Sequence, residues 1–238
     1  MLPGPDFDFL GRRCSAYRIC GSAGYLLAVL FASVLARHAG LSELVVLALA
    51  ATGVPVFLAV VMATKILTGE ERIVYYHHQI AVLLAAGLLL RTIGRPLLPY
   101  LDVTALGLGV FLACGRIGCL LVGCCHGRPR TWGVRYGRSH AAAGLPAELV
   151  GVPLFPVQAV ESLWVLSVVA AGTVIFWRGG AAGAALGWYV AAYGAGRFAL
   201  EFARGDAGRP QRRGLSQPQW ISMLLVAAGA VLLARGPR

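Results

Sequence analysis

Runs of apolar residues as long as a bilayer is thick constrain this chain more than anything else in it. Crossing a hydrocarbon core of roughly 30 Å takes about 20 consecutive apolar residues at helical rise. We read seven such runs: Ile19–Ala36, Leu41–Ile66, Ile73–Leu90, Leu101–Val122, Pro156–Phe176, Ala182–Phe202 and Gln219–Ala234. The third opens on the polar stretch Tyr75-Tyr76-His77-His78-Gln79, so six spans and one re-entrant segment also satisfy the pattern. The runs are continuous and not alternating, which selects helices over a β-barrel. The expected fold is all-α: a polytopic membrane protein of about seven transmembrane helices. It is read as a single transmembrane domain over residues 1–238 with a short N-terminal extension, 1–18. That extension holds Asp6 and Asp8 and lacks a small-residue cleavage site, so the first run is not expected to be a cleaved signal peptide.

Composition supports this from another side. A soluble domain carries about a quarter charged residues to solvate its surface. Here 13% are charged and 58% hydrophobic, with mean hydropathy +0.73, so lipid must cover much of the surface. The net charge of +11 is scattered through the chain instead of clustered on a soluble face. Anionic membrane lipids, not nucleic acid, are therefore the expected partners of these cations. With seven spans, thirteen of the Arg and Lys residues fall on one side and six on the other, which places the N-terminus in the cytoplasm. Six cysteines, Cys14, Cys20, Cys114, Cys119, Cys124 and Cys125, do not form a secreted disulfide framework. Apolar packing is the ordinary use of thiols inside a membrane. The group Cys119, Cys124, Cys125 and His126 could also hold zinc or copper or form a redox pair, although it lacks Cys-x-x-Cys spacing.

Polar residues inside the runs carry the chemistry. The stretch Cys114-Gly-Arg-Ile-Gly-Cys119 puts Arg116 within an apolar span. A central charge costs roughly 2.5–3.5 kcal/mol on insertion scales, so it normally faces a partner or a wet cavity. Gly115, Gly118, Gly123 and Gly127 would let a backbone or a ligand approach closely; a packing stripe with one snorkelling arginine is the plainer alternative. Downstream, Tyr193, Arg197 and Glu201 recur at a spacing of four and share a helix face, either as a site or as an ion pair joining helices. Arg204 and Asp206 mark the exit of that helix at the interface. Gln158 and Glu161 enter the fifth run on one face behind Pro156 and point to a lined cavity. His77 and His78 offer titratable imidazoles at a membrane boundary; an interfacial aromatic belt with hydrated histidines is the alternative.

These motifs, in this order, resemble the prolipoprotein diacylglyceryl transferase family. The Gly-Arg-Ile-Gly signature is matched by Gly115–Gly118 and its close by Gly127, Arg128 and Pro129. A Pro-x-Gln-x-x-Glu element is matched by Pro156, Gln158 and Glu161, and a Tyr-Gly-x-x-Arg-x-x-x-Glu-Phe-x-Arg helix by Tyr193 to Arg204. Gly214, Leu215, Ser216 and Gln219 match the closing motif, so the resemblance covers about residues 70–235. It departs where the family has His-Gly-Gly and this chain reads His77-His78-Gln79-Ile80. It departs again where family Asn, Glu and His positions hold Cys119, Cys124 and Phe155.

The resemblance implies a multi-pass enzyme of the bacterial plasma (inner) membrane with its N-terminus outside the cytoplasm. Such enzymes move a diacylglyceryl group from phosphatidylglycerol to the lipobox cysteine thiol of a preprolipoprotein signal peptide, and release glycerol phosphate. No metal or organic cofactor is implied; a divergent member that binds lipid without transferring it, or modifies another acceptor, is the alternative. By motif position, His77, His78, Arg116, Arg197 and Glu201 would be catalytic. The arginines would hold phosphate, which guanidinium binds bidentately. Glu201 would orient Arg197. Tyr76, Gly115, Gly118, Cys119, Gly127, Arg128, Gln158, Glu161, Tyr193 and Arg204 would line the substrate site.

Overall fold

Apolar run and helix coincide throughout the chain. The computed structural model describes residues 2–9, 11–69, 75–206 and 211–234. The long helices are α1 (Ala16–His38), α2 (Glu43–Thr68), α3 (Tyr75–Thr92), α4 (Leu97–Val122), α6 (Val157–Trp177), α7 (Ala184–Glu201) and α8 (Gln217–Ala234), with a short α5 (Arg138–Ala142) between α4 and α6. Each expected run thus lies under one long helix, its ends moved by a few residues. Five of them, α1, α2, α4, α6 and α8, are long and apolar enough to cross a membrane. α3 and α7 are 18-residue helices that carry polar groups, His77, His78 and Gln79 in one and Arg197 and Glu201 in the other.

Helix α4 is the central post. Half of its membrane-length window is buried, against 17% for α2 and for α8, so α4 gathers the bundle while those two face outward. It packs against α1, α6, α7 and α3. Leu26, Leu30, Leu44, Ile66, Leu67, Leu84, Leu163 and Leu224 point away from the core, a surface that only lipid solvates well. α7 and α8 meet at Gly187 and Gly229, where a β-carbon on Gly229 would strike the Gly187 carbonyl. Small residues at the crossing let these backbones pack closely.

At the end of the bundle where α4 begins, Asp102 caps α7. Its Oδ2 accepts from the Gly183 N–H at 2.7 Å and its Oδ1 from the Leu186 N–H at 2.7 Å. The first N–H groups of a helix have no intrahelical partner, and a carboxylate there also meets the positive end of the helix dipole. One buried side chain thereby fixes the axial position of α7 against α4. The Tyr100 hydroxyl accepts from the Ser42 N–H at 2.9 Å at the same end.

Short strands complete the chain and were not legible in its apolar pattern. β1 (Asp6–Phe9) pairs antiparallel with β2 (Arg12–Ser15), so the N-terminal extension is a folded hairpin. β3 (Pro129–Val134) follows α4, and β4 (Gln211–Arg212) pairs with β5 (Leu215–Ser216) ahead of α8.

Replacing Asp102 with Ala leaves two helix N–H groups buried without acceptors. The expected loss is about 3–6 kcal/mol, at roughly 1.5–3 kcal/mol for each of the two charge-assisted bonds. Thermal unfolding of purified D102A in detergent reads this, and an unchanged midpoint would show that Asp102 does not anchor α7.

Candidate active site

The last turns of α4 and α7 and the first turns of α6 and α8 converge at the end of the bundle opposite Asp102, and their polar residues meet there. Arg116 of α4 pairs with Glu161 of α6, Nε to Oε2 at 3.0 Å, with both side chains almost fully buried. One turn of α7 supplies the second pair, Arg197 Nη2 to Glu201 Oε2 at 2.8 Å. Glu201 is held in turn from β5, just ahead of α8: the Ser216 hydroxyl donates to its Oε1 at 2.9 Å. The Ser216 N–H donates to Gln219 Oε1 at 2.9 Å, which fixes the serine. The Tyr193 phenol faces Arg116, Glu161 and Arg197 together, and its ring stacks on Tyr189 with centroids 6.0 Å apart. A buried cation costs several kcal/mol unless paired and hydrogen-bonded. The two carboxylates are what allow two guanidinium groups inside an apolar bundle.

A woven lip closes this end. The Arg128 N–H donates to the Ala203 carbonyl at 3.0 Å and the Gly205 N–H to the His126 carbonyl at 3.0 Å. The Arg128 Nε donates to the Arg204 carbonyl at 3.0 Å. On its other side the same segment receives the Phe155 N–H at the Arg128 carbonyl, 3.0 Å. Gly127 is required here by contact, since a β-carbon would strike the Phe155 carbonyl. A cavity of about 280 Å³ opens within the lip. Its cationic wall is Arg128 and Arg204, with Glu201, Asp206, Ser216 and Gln219 among the other lining residues. Arg204 is anchored by Asp206, Nη2 to Oδ2 at 2.7 Å.

Behind the lip lies a hydrogen-bonded brace. Gln158 Nε2 donates to the Cys124 carbonyl at 2.8 Å, and the Tyr136 hydroxyl donates to the Leu120 carbonyl at 3.0 Å. Burial pushes the Tyr136 phenol up to about 12, so it stays protonated and a donor at physiological pH. His140 Nδ1 accepts from the Gly137 N–H at 3.2 Å, which leaves the proton on Nε2, 3.2 Å from the Leu121 carbonyl. These groups tie the frayed carbonyls at the end of α4 to the following loop.

The site holds cationic N–H donors whose hydrogen-bonding capacity is not used up within the protein. Among the described residues, Arg197 Nη1 and Arg204 Nε and Nη1 are buried N–H donors without a hydrogen-bond acceptor. Arg116 Nε meets Glu161 as an ion pair without hydrogen-bond geometry. Buried donors are rarely left in this condition unless they serve something else, and guanidinium donors match the oxygens of a phosphate.

Seven of the fifteen expected site residues gather here: Arg116, Glu161, Tyr193, Arg197, Glu201, Arg128 and Arg204. Neither Gln158 nor Glu161 lines this cavity: the Gln158 amide is engaged in the brace and Glu161 in its ion pair with Arg116. Gly118 and Gly127 serve close packing of protein on protein, Gly118 against Tyr17 and Cys20 of α1 and Gly127 against Phe155. Gly115 faces open space. Cys119 is buried beside Cys124 and Cys125. His78 packs on Phe57 of α2 with ring centroids 4.4 Å apart, and neither His77 nor His78 joins the described ion pairs of the arginine centre. The side chain of Tyr76 lies outside the described residues. Asp102, Tyr136 and His140 were not singled out from sequence. Asp102 alone gave a signal, as a carboxylate at the start of an apolar run.

Fold and site together define a helical membrane protein with a buried, carboxylate-oriented arginine centre. A model of the family described as prolipoprotein diacylglyceryl transferase matches residues 7–235. The chain belongs to that family. A Clostridium perfringens protein named phosphatidylglycerol–prolipoprotein diacylglyceryl transferase 2 is 36% identical over 137 residues, 55% of this chain and 49% of that protein. A Streptomyces coelicolor protein of the same name is 35% identical over 142 residues, covering 57% and 42% of the two chains. A Dehalococcoides mccartyi transferase is 32% identical over 127 residues, covering 53% and 47%. The chain spans about half the length of the curated relatives it matches.

Arg116→Met strands the Glu161 carboxylate and is expected to cost about 3–5 kcal/mol, whereas Arg116→Met with Glu161→Leu recovers most of the loss. Unfolding midpoints across this cycle measure the coupling, and strictly additive losses would contradict a direct pair.

Proposed function

We propose that this chain transfers the diacylglyceryl group of phosphatidylglycerol to the lipobox cysteine of a preprolipoprotein, as a seven-span protein of the bacterial plasma membrane. The observation that carries the reading is the set of buried guanidinium N–H donors on Arg197 and Arg204 beside the ion-paired Arg116. The reaction breaks the bond between the glyceryl carbon and a phosphate oxygen and forms a carbon–sulfur bond. The thiol loses its proton, because the thiolate is the nucleophile. Glycerol phosphate departs with the electron pair of the broken bond. Charge builds on the phosphate as it leaves, so donors fixed in an apolar setting stabilise the transition state more than the ground state.

In this reading Arg197 and Arg116 hold the phosphate, Glu201 and Glu161 set their orientation, and Tyr193 donates a hydrogen bond. Arg204 and Arg128 draw the headgroup through the lip. Of the two histidines, His77 is half-buried and His78 buried, so His77 is the one able to exchange a proton with an incoming thiol. The cations at this end are gathered for an anionic lipid, which explains their excess on one side without fixing the N-terminus in the cytoplasm.

Purified protein in phosphatidylglycerol liposomes, given a lipobox peptide, is expected to add one diacylglyceryl mass to the cysteine. Arg197→Ala and Arg204→Ala should each slow this by about 10²–10³-fold, the usual cost of removing a donor from a developing anion. His77→Ala should fall further than His78→Ala. A folded wild-type protein that binds the lipid and leaves the peptide unmodified would favour lipid binding, or another acceptor, over transfer.

A further inference from the structure

Three thiols that the proposed transfer leaves without a task stand together where α4 ends. Cys119 sits in the last turn of α4, the helix stops at Gly123 in a left-handed conformation (φ 85°), and Cys124 and Cys125 follow. Cys125 is itself left-handed, φ 55°, a conformation that costs a residue with a β-carbon roughly 1–2 kcal/mol. The chain turns back on itself here, so that Cys124 Sγ comes within 3.9 Å of the Cys119 carbonyl oxygen. The three sulfurs all lie within 4.8 Å of one another.

We propose that Cys119, Cys124 and Cys125 form a three-thiolate site for one soft monovalent metal ion, Cu⁺. Three sulfurs sharing an ion at about 2.3 Å stand about 4.0 Å apart in a trigonal plane, a triangle that fits inside the one present. The number of ligands sets the preference. Soft thiolates select Cu⁺ and Zn²⁺ among biological ions, and a closed zinc site takes four ligands. His126, next in sequence, stands outside the compact group, with Nδ1 3.0 Å from the Gly127 carbonyl. Binding releases three thiol protons to water and leaves two negative charges on the complex. Arg204 and Arg116, both within electrostatic reach of Cys125, offset that charge. Cys124 is exposed, Cys125 half-buried and Cys119 buried, so an ion can be taken up from the surface and passed inward. The site is independent of the transferase reading.

The test uses the full chain in detergent, reduced with a phosphine and titrated with Cu⁺ against bicinchoninate. One Cu⁺ per chain is expected, with three sulfur neighbours in the X-ray absorption spectrum of the wild type. Cys119→Ser, Cys124→Ser and Cys125→Ser should each weaken binding by more than about 100-fold, beyond the 10–100-fold typical of losing an outer-shell partner. A protein carrying Cys14→Ser, Cys20→Ser and Cys114→Ser should keep both stoichiometry and affinity. Fewer than three sulfurs around copper, Zn²⁺ held in preference to Cu⁺, or binding that survives loss of all three proposed ligands would overturn the site. The spectrum reads the wild type, so the decision does not depend on how well the variants fold.

Discussion

Everything at the working end of this protein follows from the cost of keeping guanidinium groups inside an apolar bundle. Two arginines in the long helices are buried, and each has a carboxylate within 3.0 Å. Arg116 finds its partner on a neighbouring helix, so the pair also pins α4 to α6. Arg197 finds its partner one turn along, and that partner is held from β5 by the Ser216 hydroxyl. Buried ion pairs of this kind add little net stability over apolar packing and are expensive to break. Their presence in a chain with 13% charged residues therefore marks function more than folding strength.

The two ends of the bundle divide the labour. At one end Asp102 and Tyr100 lock helix starts to helix starts with neutral backbone partners. At the other, helix ends are tied by Gln158, Tyr136 and His140, while the arginine donors are held rigid and incompletely satisfied. A fixed scaffold on one side and unsatisfied donors on the other is the arrangement electrostatic catalysis requires, because donors already in place need no reorganisation as charge develops. The lip of Gly127, Arg128 and Arg204 is closely packed, with Gly127 and Gly205 permitting backbones to touch.

Much of the fold was legible because bilayer thickness is a length that a sequence can be measured against. Each long helix was found within a few residues of its apolar run, whereas the hairpin of β1 and β2 carries too short an alternation to announce itself. Five helices meet the length and apolarity needed to cross a membrane; α3 and α7 fall short because the residues that make them interesting are polar. In the site, the Arg197–Glu201 pair was visible because its members share one helix face. The Arg116–Glu161 pair was not, because nothing in the spacing of separate helices says which will face each other. Gln158 looked like a cavity wall for the same reason, since its real partner is a carbonyl at the frayed end of α4. Asp102 lay at the margin of its run with no polar neighbour, and its role depends on a helix start far along the chain.

The central claim is that the arginine centre holds the phosphate of an anionic lipid. The most direct measurement is native mass spectrometry of the protein released from nanodiscs containing equal amounts of phosphatidylglycerol and phosphatidylcholine. One retained phosphatidylglycerol per chain is predicted for the wild type, lost in Arg197→Ala and in Arg204→Ala proteins of unchanged helicity. Equal retention of both lipids, or phosphatidylglycerol retained in both variants, would contradict it.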